Sequence, residues 1–105
     1  MENKLIVLLL AFIAIACSSG QDLASKNKKA DIHYSYGTQA LIEKNYTAAI
    51  SHLIQAAEHD PKNPEIQNNL GMAYYFKGEK EMALKHIRLA LEINPANTDA
   101  LVNLA

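Results

Sequence analysis

Residues 36–63 read YGTQALIEKNYTAAISHLIQAAEHDPKN, and residues 70–97 read LGMAYYFKGEKEMALKHIRLALEINPAN. Gly37 and Gly71 stand 34 residues apart, and so do Ala49 and Ala83, Ala56 and Ala90, and Pro61 and Pro95. A fixed period of this size is the mark of stacked supersecondary units, each too small to bury its own apolar face. The repeated stretch decides the fold, and the rest of the chain is read outward from it.

Within each unit the apolar residues recur at helical spacing, as in Ala49, Ile50, Leu53, Ala56 and Ala57. Lys44-Asn45 and Gly78-Glu79 mark a tight turn inside each unit, with Asn45 and Gly78 able to take left-handed backbone. Asp60-Pro61 and Asn94-Pro95 stop the helices that precede them, because the residue before proline avoids the helical region. Pro64 opens the next helix, where its missing N–H does no harm. Helices are expected over 31–44, 46–58, 64–77, 80–92 and from 98 onward. Gly37 and Gly71 fall inside two of these helices, where glycine costs about 1 kcal/mol relative to alanine. That cost is expected where two helices approach too closely for a side chain.

The pattern resembles the tetratricopeptide repeat, W-x2-L-G-x2-Y followed by A-x3-F, A and P. Its slots hold Gln67, Leu70, Gly71, Tyr74, Ala83, Ile87, Ala90 and Pro95 in one unit. In the other they hold His33, Tyr36, Gly37, Ala40, Ala49, Leu53, Ala56 and Pro61. The tryptophan slot is polar in both, which is expected to weaken packing there. A third unit starts at Thr98 with "TDALVNLA", against "PEIQNNLG" in the second. The resemblance implies an all-α solenoid of helix-turn-helix units: a first repeat over 30–63, a second over 64–97 and the start of a third over 98–105. Arrays of this kind need about three units and a capping element. The open end at Tyr74, Leu84, Ile87 and Leu91 therefore implies either a longer protein, of which this is the N-terminal piece, or a partner.

The family's geometry also implies a concave groove lined by the first helix of each unit. Tyr34, Thr38, Leu41 and Ile42 are expected to face it from one unit; Asn68, Met72, Tyr75 and Phe76 from the next, with Asn69 beside them. Of these, Tyr34, Thr38, Leu41, Asn68, Asn69, Met72 and Tyr75 are the candidate peptide-binding residues. Aromatic, methionine and amide groups suit an extended or helical peptide. A subtype of these repeats grips chaperone tails with a clamp of Lys, Asn and Arg. Only Asn69 has a counterpart among its ligands, and Tyr34, Asp99 and Asn103 occupy the basic slots.

Nothing in the sequence points to catalysis. His52 and His86 occupy the same slot in successive units and are expected on the outward face, about 10 Å apart, too far to share a metal. No H-E-x-x-H, C-x-x-C or G-x-S-x-G occurs. The reading is a non-enzyme with no cofactor, no metal and no small-molecule substrate. The net charge of -1, with both signs interspersed, offers no basic face for nucleic acid.

The N-terminus has a different character. Leu5–Ala16 is an uncharged apolar run of 12 residues, which suits the core of a secretory signal peptide and falls short of a spanning helix of about 20 residues. The run ends in Ala14-Ile15-Ala16-Cys17, and Cys17 is the chain's one cysteine. "AIAC" resembles a bacterial lipobox, although Ala14 stands where leucine is usual. The resemblance implies a signal over 1–16, a diacylglycerol on the Cys17 thiol and a cut just before it. Acyl chains anchor through roughly 0.8 kcal/mol per buried methylene. Residues 17–29 then read as the lipidated cysteine and a polar tether. Serine at position 18 resembles the sorting signal of lipoproteins sent to the outer membrane. Two alternatives stay open: an ordinary cleaved signal, which would release a soluble periplasmic scaffold, or an uncleaved anchor.

Together these features imply a membrane-anchored interaction scaffold of the bacterial envelope with a protein or peptide partner. A lipobox closely followed by such repeats is similar to the type IV pilus assembly lipoprotein family.

Overall fold

A computed structural model describes residues 27–96 together with 100, 101 and 103. The expected signal segment, Cys17 and residues 17–26 of the expected tether lie outside the described residues. Among the described residues the chain is helical. Helix α1 spans 27–42, α2 Tyr46–His59, α3 Pro64–Lys77 and α4 Lys80–Ile93. Residues 100, 101 and 103 are helical as well.

Three of these helices match the expected bounds to within a residue. α1 differs at both ends. It takes in residues 27–30, which the sequence reading leaves largely to the tether. No residue there breaks a helix, and Ala30 is buried to 1% exposure, which ties that turn to the fold. At its other end α1 stops at residue 42, because Lys44 takes left-handed backbone with φ 61°. Its counterpart Gly78 does the same at φ 97°. The expectation that Asn45 would supply this conformation is corrected. Asn45 instead caps α2, its side-chain oxygen accepting the Ala48 N–H at 3.2 Å. Asn63 caps α3 in the same way through the Glu65 N–H at 3.0 Å, with Pro64 in the first turn.

The core is aliphatic and falls into two clusters. Ala40 of α1, Ala49, Ile50, Leu53 and Ala56 of α2, and Ile66, Leu70 and Ala73 of α3 form a single buried cluster. A second cluster joins Ile87 and Ala90 of α4 to Ala100, with Leu91 packed against it. The expected open end is thus partly closed: Ile87 is 3% exposed, while Leu84 remains 40% exposed. Both helical glycines mark close approach, as expected. A Cβ on Gly37 would lie 2.6 Å from Leu53 Cγ. One on Gly71 would lie 2.5 Å from Ile87 Cγ1 and 3.1 Å from the Ala83 carbonyl oxygen. Real Cβ atoms are not found so close to a neighbour, so glycine is what lets each helix pair close.

Candidate binding groove

α1 and α3 each lead their unit. The side chains expected in the groove divide into those that join helices and those that stay open. Asn69 donates its side-chain amide to the Tyr34 hydroxyl at 3.0 Å, linking α3 to α1. Asn103 donates in the same way to the Asn68 side-chain oxygen at 3.0 Å. Asn68 is 4% exposed, so its amide serves this link between helices. Tyr34 and Leu41 pack against the aliphatic core. Thr38 is half-buried, and its hydroxyl donates back to the Tyr34 and Ser35 carbonyls at 3.0 and 2.9 Å.

The open part of the groove lies further along α3. Met72, Tyr75 and Phe76, with Ile87 and Asn103, line a cavity of about 210 Å³. Tyr75 is 57% exposed and Phe76 53%. Tyr75 meets Phe76 edge-on with ring centroids 5.6 Å apart, and Phe76 stacks on Tyr46 at 5.5 Å. Ile42, the counterpart of Phe76 in α1, is 75% exposed. The arrangement is a shallow aromatic and thioether surface with one amide at its rim, able to hold an apolar anchor and one backbone group. Sequence reasoning missed Tyr46. It opens α2 directly after the cap and reaches the end of α3, a contact between helix ends that no periodicity marks.

The histidines correct a second expectation. His52 and His86 do not face outward. Each lies three residues from a buried alanine, Ala49 or Ala83, and so turns toward the first helix of its own unit. His86 meets the tryptophan-slot residue Gln67, the Nδ1–H tautomer donating to the Gln67 side-chain Oε1 at 2.8 Å, and stacks on Tyr74 at 5.4 Å. Gln67 is 5% exposed, so this polar slot is filled and paired. Burial, and then the charge of Lys85, holds the His86 pKa below its ordinary 6.5. In the first unit His33 lies between His52 and His59, with centroids 5.9 and 6.1 Å away. Tyr36 leans on His52 at 5.4 Å, and the Nδ1 atoms of His33 and His52 are buried without a hydrogen-bond partner. Among the described residues no three His, Cys, Asp or Glu side chains are placed to hold a metal ion. No described helix is long and apolar enough to cross a membrane.

This geometry can be set beside known proteins. A TPR repeat model matches residues 41–78, and a tetratricopeptide repeat model matches 64–97. The chain is a tetratricopeptide repeat protein. Its helices superpose on the first such domain of Spaghetti (RPAP3), solved bound to the HSP90 peptide SRMEEVD. The TM-score is 0.71 at 25% identity, over 73% of this chain and 63% of that one. Two similar curated relatives are Photosystem I assembly proteins Ycf3. The one from Acaryochloris marina is 33% identical over 74% of this chain and 49% of its own length. The one from Rippkaea orientalis is 30% identical over 76% and 48%. The chain spans about half the length of these relatives. Tetratricopeptide domains bind proteins or peptides, as the Spaghetti domain does.

Proposed function

We propose that this protein is a lipid-anchored assembly scaffold of the bacterial cell envelope. Cys17 carries the anchor at the outer membrane facing the periplasm, the tether gives reach, and the tetratricopeptide groove holds a protein segment. The observation that carries the scaffold reading is the cluster of half-buried Met72 and exposed Tyr75 and Phe76 around a cavity. Aromatic and methionine side chains around a concavity suit an apolar anchor from a peptide partner. The curated relatives are named for assembly of photosystem I, which favours an assembly role over a signalling one. A lipobox followed by repeats supports the narrower version, in which the complex assembled is a type IV pilus and its secretin.

Three measurements test this. Intact mass of the exported protein should show a chain beginning at Cys17 with added acyl mass, absent in Cys17→Ser. An unmodified chain would remove the anchor. A photo-crosslinking residue at position 75 should form a discrete adduct in the envelope, and one at the exposed position 88 should not. Equal labelling at both would remove the groove. An unchanged secretin ladder after deletion of the protein would remove the pilus role.

A further inference from the structure

The two repeats serve as controls for each other. Ile66 and Leu70 of α3 are each 1% exposed, in the cluster where the aliphatic face of α2 meets them. Their counterparts 34 residues earlier, Ile32 and Tyr36 of α1, are 46% and 59% exposed. Among the described helices only α2 touches that side of α1, where the His52 ring meets Tyr36 at 5.4 Å, and Tyr36 stays more than half exposed. Residues 12–25, which would stand in the register of α2 ahead of α1, do not repeat its stripe. They place Ser19 and Asp22 where α2 places Leu53 and Ala56.

The bare side has a definite composition. Lys28 and Lys29 lie one turn before Ile32, on the same side of the helix, and both are exposed. Acidic residues sit at its edges. Asp31 is on the adjoining side, and Glu43 is at the far end with its carboxylate held by the Gln39 amide at 2.9 Å. Two cations, an aliphatic side chain and an exposed tyrosine form a surface suited to the headgroup boundary of a bilayer. A protein interface is a poorer match. Two apolar side chains fall far short of the roughly 800 Å² per partner that a stable protein contact buries. A membrane contact made by an anchored chain has no such floor, because the anchor sets the effective concentration.

We propose that this side of α1 (Lys28, Lys29, Ile32 and Tyr36) rests on the anionic surface of the membrane that holds the chain. The proposal rests on the anchored reading above. The residues between Cys17 and α1 span at most about 35 Å fully extended, so α1 is within reach of the bilayer. A contact made by two lysines and two apolar side chains is weak from solution and becomes effective when tethered. Thr38 points to a different side of α1, so the docked protein keeps its groove open to the aqueous compartment.

The test exploits two features of the composition: the chain has no tryptophan and one cysteine. Full-length Ile32→Trp, made without export, is coupled through Cys17 to a maleimide lipid in phosphatidylcholine vesicles with or without phosphatidylglycerol. Some of the lipid carries bromine near the headgroup. Coupling supplies the tether whether or not cells acylate Cys17, so this result is separable from the intact-mass test of the anchor. Circular dichroism confirms that each variant keeps its helices. The expected result is bromine quenching of the tryptophan that is at least about twofold stronger on anionic than on neutral vesicles. Adding Lys28→Glu and Lys29→Glu should abolish that difference, and Phe76→Trp should be unquenched on both. An unquenched indole in the Ile32→Trp variant on coupled vesicles overturns the proposal. So does a blue-shifted but unquenched one, which would mean that a second copy covers the face. Equal quenching on neutral and anionic vesicles overturns the role of the lysines.

Discussion

The two repeats share their landmarks at one spacing but close their helix pairs with different chemistry. In the second, the polar tryptophan slot is a matched pair, Gln67 bonded to His86 with Tyr74 stacked beneath. In the first, the same slots hold His33 and His52, which stack without a partner for either buried Nδ1. The glycine slots differ in how hard their limits are: Gly71 faces a side chain and a backbone carbonyl, Gly37 chiefly the Leu53 side chain. A repeat motif thus specifies where helices touch and leaves open which bonds are made there. The second unit has the better-satisfied interior, and the first has the more adaptable one.

Substitutions can break or sharpen this contrast. The largest effect is expected from Leu53→Ala, which empties a side chain buried to 0% exposure where three helices meet. A loss of about 3 kcal/mol should leave this short array largely unfolded by circular dichroism at 25 °C. Next comes Gly71→Ala, at about 2 kcal/mol, since the Ala83 carbonyl cannot rotate away. Gly37→Ala should cost less, and equal urea midpoints for the two would erase the distinction. Gln67→Ala removes the partner of His86 and should cost about 1–2 kcal/mol. His33→Ala should cost less at the equivalent site, because no hydrogen bond is lost there.

Smaller still is Lys44→Gly, which gives the first turn the residue that the second already has at Gly78. Relief of left-handed backbone should raise stability by up to about 1 kcal/mol. A fall in midpoint would show that Lys44 does more than turn the chain. The last is a pH effect. Folding lowers the His86 pKa below 6.5, so the unfolded state binds the proton more readily. The stability tied to the neutral ring is fully present above pH 6.5 and is lost as pH falls through the lower folded value. Urea midpoints should drop between pH 7.5 and 5.5, and the drop should shrink in His86→Gln.

Much of the fold was legible because its determinants are local. The prolines, the turn residues and the aliphatic stripes place α2, α3 and α4 nearly to the residue. Lys44 was not legible as the left-handed position, since nothing in a lysine signals it; only its register with Gly78 does. The inward turn of His52 and His86 could have been read from their three-residue offset from Ala49 and Ala83, but polarity argued the other way. The groove was legible as a stripe and not as a site. Whether Asn68 meets a ligand or a neighbouring helix depends on Asn103, which is 35 residues away.

That last contact has a mate. Tyr34 with Asn69, and Asn68 with Asn103, are two rungs of equal sequence separation, each tying one leading helix to the next. Aliphatic contacts are non-directional, whereas a hydrogen bond also fixes the angle at which donor meets acceptor. The rungs therefore act as an index for the superhelix, setting how far each unit advances and turns on the one before. A change of one amide in these rungs would alter the pitch before it altered the fold.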